Sequence, residues 1–325
     1  MFTASSVRAD TYSWTNAQSD IPGVAGEIVT RLVNPWGMAS SSDDMIRVSD
    51  NGKGVSTVYH LNGESPLGWV NIPPVTEDSK GSPTGIVYNN TPFFRVTKNG
   101  NMAPSTFIFA SKDGTISGWN PVLDEHNAIV AVEGSEENVY MGLTIGTANN
   151  GHTYLYATNF HKNRVDVFDR NFHRVFTNRF IDPDIPPRFA PFGIKYINGK
   201  VYVTYAIQDE AKRDVITGLG YVNEFNASGE FPKRMQNGIG ISTNAPYGLA
   251  IVNDRLWVGN FGDGIINKFN PDTGRFIETL KQRNGTPLRF DGLRDFLQIG
   301  VNVYFTAGIV DEKHGLLGFI TKDQP

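Results

Sequence analysis

Cysteine is absent from the chain, so disulfides, thiolate metal sites and cysteine nucleophiles are excluded and the redox compartment is left open. Long apolar runs are absent too. No stretch approaches the ~18 consecutive apolar residues of a membrane-crossing helix, and residues 1–20 lack the apolar core of a secretory signal. The expectation is a soluble chain that carries no address and inserts into no membrane. Charge of one sign is scarce: 29 Lys and Arg against 33 Asp and Glu leave a net charge of −4. No block of roughly five like charges is available to attract a polyanion, so nucleic acid is not an expected partner. The motifs of common chemistry are missing as well, with no G-x-S-x-G nucleophile elbow, no H-E-x-x-H zinc pair and no phosphate loop ending in G-K-[ST]. Capped amphipathic helices of about ten residues are also lacking, which disfavours strands alternating with helices.

What the chain does have is glycine, 34 in all, and a phrase that recurs. A turn ending in glycine and followed by apolar residues occurs as Asn34-Pro35-Trp36-Gly37-Met38, Ser82-Pro83-Thr84-Gly85-Ile86, Ala190-Pro191-Phe192-Gly193-Ile194 and Ala245-Pro246-Tyr247-Gly248-Leu249. Two degenerate copies, Tyr140-Met141-Gly142-Leu143 and Phe290-Asp291-Gly292-Leu293, bring the set to six. The glycines lie 48, 57, 51, 55 and 44 residues apart, close to the ~40–50 residues of one propeller blade. After each comes a β-rich run ending in a small or polar residue, at residues 46–49, 107–111, 154–159, 201–205, 256–260 and 303–307. A third element closes on an aromatic residue and a turn former, as in Tyr59-His60, Trp119-Asn120, Phe168-Asp169, Phe225-Asn226 and Phe269-Asn270. Two positions earlier stand Thr57, Ser117, Asp166, Asn223 and Asn267, the spacing of one strand face.

These repeats predict an all-β, six-bladed β-propeller of four-stranded blades, spanning residues 1–325 as one domain, with blades beginning near Gly37, Gly85, Gly142, Gly193, Gly248 and Gly292. The sixth copy reaches only three strands before the sequence stops, so a fourth must come from elsewhere to avoid an open edge. Residues 12–30 are the available donor, with 12–16 favoured over 27–29, and the ring is then closed by an N-terminal strand joining the C-terminal blade.

In such a blade the turn before the first strand and the turn after the second open on the same face. That face, here called the top, gathers Trp36, Thr84, Met141, Phe192, Tyr247 and Asp291 from the first turns. From the second it gathers Asp50 and Asn51, Asn159 and His161, Gln208 and Asp209, Asn260, Phe261 and Asp263, and Glu312 and His314. Aromatic walls with convergent polar groups are the composition of a small-molecule or peptide site. Asp, Asn and Gly are also what tight turns take, so each residue alone has a structural reading. Oxygens of Asp50, Asn159, Asp209, Asn260 and Asp291 come from different blades and are candidates to surround a hard cation such as Ca²⁺. His161 and His314 are candidate general bases, with Asp263 or Glu312 as orienting partners.

The phrases Val48-Ser49-Asp50-Asn51-Gly52, Asp113-Gly114-Thr115-Ile116-Ser117-Gly118-Trp119, Tyr156-Ala157-Thr158-Asn159-Phe160-His161, Gly259-Asn260-Phe261-Gly262-Asp263 and Phe305-Thr306-Ala307-Gly308 carry a family resemblance. With them the chain resembles uncharacterised NHL-like six-bladed propeller proteins, often exported by bacteria and bearing a PEP-CTERM sorting tail. Asp311, Glu312, His314 and Gly315 fit that family's closing phrase. The resemblance implies the fold and export in some members, and it brings no catalytic residue. Three functions follow as expectations. The first is a module binding a small molecule, glycan, peptide or protein partner at the top face. The second is a calcium-dependent hydrolase resembling propeller lactonases and phosphotriesterases. The third is a structural or assembly protein.

Overall fold

The computed structural model describes residues 10–42, 44–61, 68–76, 78–176, 178–230, 233–238, 240 and 243–324. Runs of β-branched and aromatic residues cut by Gly, Asn and Asp turns build six antiparallel blades, and each blade is ordered from the axis outward. Blade one comprises Pro35–Ser42, Met45–Asp50, Val55–His60 and Gly68–Asn71. Blade two has Pro83–Tyr88, Phe107–Ser111, Ile116–Trp119 and Ile129–Val132, and blade three Tyr140–Thr147, Thr153–Asn159, Arg164–Phe168 and Arg174–Val175. Blade four follows with Phe189–Ile197, Lys200–Gln208, Val215–Asn226 and Lys233–Arg234, then blade five with Pro246–Val252, Arg255–Asn260, Ile266–Phe269 and Phe276–Thr279. Blade six is Leu293–Ile299, Asn302–Ala307 and Leu316–Lys322. Its fourth strand is Tyr12–Ser19, antiparallel to Leu316–Lys322, with Tyr12 opposite Lys322 and Ser19 opposite Leu316. Glu27–Ile28 adds a short parallel pairing outside it.

Second strands are apolar without alternation because neighbouring blades cover both of their faces; Phe107–Ser111 is buried throughout, whereas the fourth strand Ile129–Val132 is only half-buried. The third-strand aromatics Tyr59, Phe168, Phe225 and Phe269 are buried between blades. The 57-residue interval from Gly85 has a structural cause: a hairpin, Arg95–Lys98 with Asn101–Pro104, is inserted between the first two strands of blade two. Its turn is Asn99-Gly100, both with positive φ, the signature of a tight hairpin loop. The side-chain oxygens of Asn89, Asn226 and Asn284 each accept from the amide two residues on, so these asparagines close turns.

Five glycines bring the inner strands into van der Waals contact around the axis. Gly37, Gly85, Gly142, Gly193 and Gly248 all lie within first strands. A Cβ on Gly193 would stand 2.2 Å from the Tyr247 carbonyl oxygen, and one on Gly248 2.2 Å from that of Arg294. No side chain fits there. Blade six departs from the expected register. Gly292 precedes its first strand and holds a turn at φ 63°. The ring position belongs to Asp295, whose amide donates to Thr306 Oγ1 as that of Gly193 donates to Thr204 Oγ1. At this waist the free space is only about 10 Å³ and is bordered by Gly37, Gly85, Gly142 and Asp295. Among the described residues no helix is long and apolar enough to cross a membrane.

Candidate functional site

Backbone hydrogen bonds establish the shared face. Asn51 donates to Asn34, Lys112 to Ser82, Phe160 to Val139, Gln208 to Arg188, Phe261 to Ala245 and Gly308 to Gly292. In every blade, the residue ending the second strand or just after it is thus tied to the segment before the first.

The register of blade six decides what stands on the top face. The residue before each ring position is Trp36, Thr84, Met141, Phe192, Tyr247 and then Arg294, not Asp291. The aromatic members turn inward and plug the top of the axis. Trp36 meets Tyr247 edge-on at 5.4 Å and Phe192 at 6.1 Å, while Phe192 and Tyr247 are 4.8 Å apart. Trp36, Phe192 and Tyr247 are therefore buried and form a floor rather than free walls. Burial raises the Tyr247 hydroxyl, with the Asp295 charge adding to it, and its proton is donated to the Met141 carbonyl.

Arg294 sits within this aromatic group. Its guanidinium carbon is 3.8 Å from the ring centre of Trp36 and 3.8 Å from that of Phe261, a two-sided cation–π stack. The residue is 1% exposed. Nη2 donates to Glu312 Oε2 at 2.6 Å, whereas Nε and Nη1 are buried without a hydrogen-bond partner. Burial lowers the guanidinium from its ordinary value, and the Glu312 charge opposes the shift. Glu312 is carried by the turn Val310-Asp311-Glu312, three consecutive residues at positive φ of 54°, 54° and 61°. Such a conformation costs of order 1 kcal/mol per non-glycine residue. Trp36, Met141, Phe192, Asp214, Val215, Phe261, Arg294 and Glu312 enclose a pocket of about 120 Å³. On its rim Lys112 pairs with Asp214.

The remaining expected residues occupy other positions. Asp50 is fully buried; its Oδ2 accepts from the amide and hydroxyl of Thr57, and burial holds the carboxyl well above the usual range. Asn51 donates across to the Pro83 carbonyl of blade two. Asn159 donates to Asn138 and Asp166 in its own blade. Gln208 is buried and donates to the Phe160 carbonyl. Asp209 accepts from the amides of Arg213 and Asp214. Asn260 is buried with neither side-chain atom paired, and Asp291 lies exposed, accepting from the Val310 amide. Oxygens of Asn159, Asp209 and Asp291 are engaged within their own blades, whereas Asp50 Oδ1 and Asn260 Oδ1 are buried without a partner. Among the described residues no group of three or more His, Asp or Glu side chains is arranged to hold a metal.

The histidines are not oriented by the carboxylates expected for them. His314 Nδ1 meets Asp20 Oδ2 at 2.8 Å, and the other oxygen of Asp20 accepts from the Gly315 amide. Asp20 thereby fastens the end of the closing strand. His161 Nδ1 is buried and unpaired, Asp263 closes a turn by accepting from Ile265, and Glu312 belongs to Arg294. The residue overlooked by sequence reasoning is Arg294. Its signal was the apolar residue two positions later, Phe296, matching Met38, Ile86, Leu143, Ile194 and Leu249 after their ring positions.

Sequence comparison gives the family. Over 317 residues the chain is 31% identical to an uncharacterised protein of Acanthamoeba polyphaga mimivirus, an alignment covering 90% of this chain and 76% of that protein. A second uncharacterised protein of the same virus is 31% identical over 316 residues, covering 90% and 81%. The chain belongs to the family of these mimivirus proteins. No family model matches it. Among solved structures, a Bacteroides thetaiotaomicron protein of unknown function superposes with a TM-score of 0.60 at 12% identity, covering 97% of this chain and 77% of that one. Virginiamycin B lyase from Staphylococcus aureus gives 0.53 at 13% identity, covering 96% and 99%. The PQQ-bound aldose sugar dehydrogenase of Streptomyces coelicolor gives 0.55 at 11%, covering 95% and 98%. At such identities the likeness concerns the fold, which hosts many functions.

Proposed function

We propose that this family member is a binding module whose top-face pocket takes a small ligand through a carboxylate group seated at Arg294. The observation that carries the reading is a fully buried guanidinium with two of its three nitrogens unpaired. An unmatched buried donor costs about 1–3 kcal/mol, and more for a charged group, so the site is favourable to an incoming acceptor. A planar carboxylate suits the guanidinium fork, and the rings of Trp36 and Phe261 keep that fork rigid. Glu312 is an internal carboxylate already resting on the same cation, held by a strained turn, and an entering carboxylate replaces it.

The test is a thermal-shift screen of small mono- and dicarboxylates, followed by calorimetric titration of those that stabilise the protein. A ligand that binds only the native state raises the melting temperature in proportion to the logarithm of its concentration over Kd. Arg294→Met should abolish the shift, while Glu312→Gln should strengthen binding by weakening the internal competitor. A screen in which no carboxylate distinguishes the wild type from Arg294→Met refutes the reading.

A further inference from the structure

A second cation lies between blades one and two, at a position where the other blades are apolar or aromatic. In each blade one residue of the second strand pairs with the inner-strand residue two beyond the ring position. These residues are Ile108, Tyr156, Tyr202, Trp257 and Tyr304 in blades two to six. In blade one it is Arg47, opposite Ala39. Repeat logic calls for a packing residue there. The chain instead places a charge that is only 7% exposed.

That charge has little to satisfy it. Among the described residues no carboxylate forms an ion pair with Arg47. Its one hydrogen bond, from Nη1 to the Ser56 carbonyl, is long at 3.4 Å, and Nε is buried and unpaired. The guanidinium lies against the rings of Trp119 at 4.5 Å and Phe107 at 5.1 Å, and burial lowers it to about 10. A buried charge without a counter-ion is costly, yet this one borders an opening rather than sealed core.

The opening is a groove of about 340 Å³, within the roughly 300–1,000 Å³ of small-ligand clefts. Blade one contributes Arg47 and Trp69, and blade two contributes Trp119, Pro121, Glu125 and His126. The two tryptophans come from the two neighbouring blades. Trp69 is 45% exposed and is backed by the Arg31 guanidinium, 3.6 Å from its ring centre. Trp119 is fixed by donating its indole proton to the Glu125 carbonyl. Hydrogen bonds between Asn71 and the 126–128 segment bridge the blades along the outer strands, so the groove is built and not a gap.

We infer that this groove binds an acidic saccharide, with the carboxylate of a uronate or sialate unit on Arg47 and the sugar ring against the tryptophans. A sugar ring presents C–H faces that suit aromatic surfaces and a hydroxyl edge that suits Glu125 and His126. Its carboxylate supplies the countercharge that the protein omits, which a neutral sugar does not. The inference is independent of the top-face pocket and uses none of its residues.

The test is titration of the full chain with uronate- and sialate-bearing oligosaccharides and with their neutral counterparts, followed by tryptophan fluorescence and calorimetry. Saturable binding of an acidic oligosaccharide is expected, at least tenfold tighter than its neutral counterpart, a difference equal to about 1.4 kcal/mol. Arg47→Ile, which installs the residue of blade two, should fold with an unchanged or higher melting temperature and lose the binding. Trp69→Ala, a surface change, should weaken it without affecting stability, and Arg294→Met should leave it intact. Equal binding of neutral and charged sugars, no saturation by any acidic member, saturation by a glutamate-rich peptide alone, or a large loss of stability in Arg47→Ile would each overturn the inference.

Discussion

Asp295 and Lys195 meet at the waist of the propeller, with Nζ 3.1 Å from Oδ1 and 3.2 Å from Oδ2. Asp295 holds the ring position that the five other blades give to glycine, and its carboxylate also accepts from the Met38 amide of blade one. The seam between the last and first blades is thus held by a carboxylate, where the seams between blades two and three and between blades three and four use threonine hydroxyls that donate to backbone carbonyls. Asp295→Ala should leave that amide unmatched and the ammonium with only the Phe296 carbonyl as partner, and cost about 1–3 kcal/mol. Adding Lys195→Ala should recover part of the loss in urea unfolding. Additive losses in the double variant would show that the pair is not coupled.

Glycine at the ring positions is a steric requirement with a direct test. Gly248→Ala places a methyl group 2.2 Å from the Arg294 carbonyl oxygen and should cost about 3 kcal/mol as an overpacked site. Gly26→Ala, whose nearest neighbour is 3.9 Å away, should be nearly neutral. Similar melting temperatures for the two variants would contradict this account of the waist.

Asp50 gives the stability a pH dependence. Burial raises its carboxyl above the ordinary value, opposed by the hydrogen bonds from Thr57. The native state therefore binds this proton more tightly than the unfolded chain does. The stability linked to it is complete below about pH 4 and is lost as pH rises through the raised native value. Blades three and five carry Asn159 and Asn260 at the end of the same strand. Asp50→Asn should accordingly raise stability at pH 7, because it removes the carboxyl whose ionisation is disfavoured in the folded chain. Its melting temperature should fall less than the wild type's between pH 4 and pH 7; parallel profiles would falsify the assignment.

Removal of residues 1–19 should uncover the edge of Leu316–Lys322, which Tyr12–Ser19 pairs along its length. Unpaired edges associate with other chains. The truncated protein is expected to melt at a lower temperature and to form dimers or larger species in light scattering. A monomer of unchanged stability would mean that the closing strand is dispensable.

The blades were legible because their signals are local and repeated: a glycine that permits strand contact, an apolar return strand, an aromatic residue before a turn. Blade six misled for a physical reason. Gly292 imitates the repeated glycine in sequence, but its work is a left-handed turn, while the ring position three residues later carries a charged side chain that no glycine pattern could flag. Arg294 was lost with that register. The inserted hairpin at 95–104 was legible only as an over-long interval, although its Asn99-Gly100 pair is a strong turn signal. Burial was the harder quantity. Trp36, Phe192 and Tyr247 lie on the expected face, but only their mutual packing reveals that they close the axis instead of lining an entrance. Arg47 looks like an ordinary strand residue until its counterparts in five other blades are aligned.

The contact between Asp20 and His314 joins positions 294 residues apart in sequence, and the strands flanking it are equally distant. Closing a loop of that length costs chain entropy that nothing local offsets, so this sheet should be the last to assemble and its completion the slow step. Until then the other blades form an open arc with two raw ends. The same pairing works in reverse once made: the ring cannot peel from either end without first breaking the one sheet that contains strands from both, which ties the lifetime of the whole molecule to a single seam.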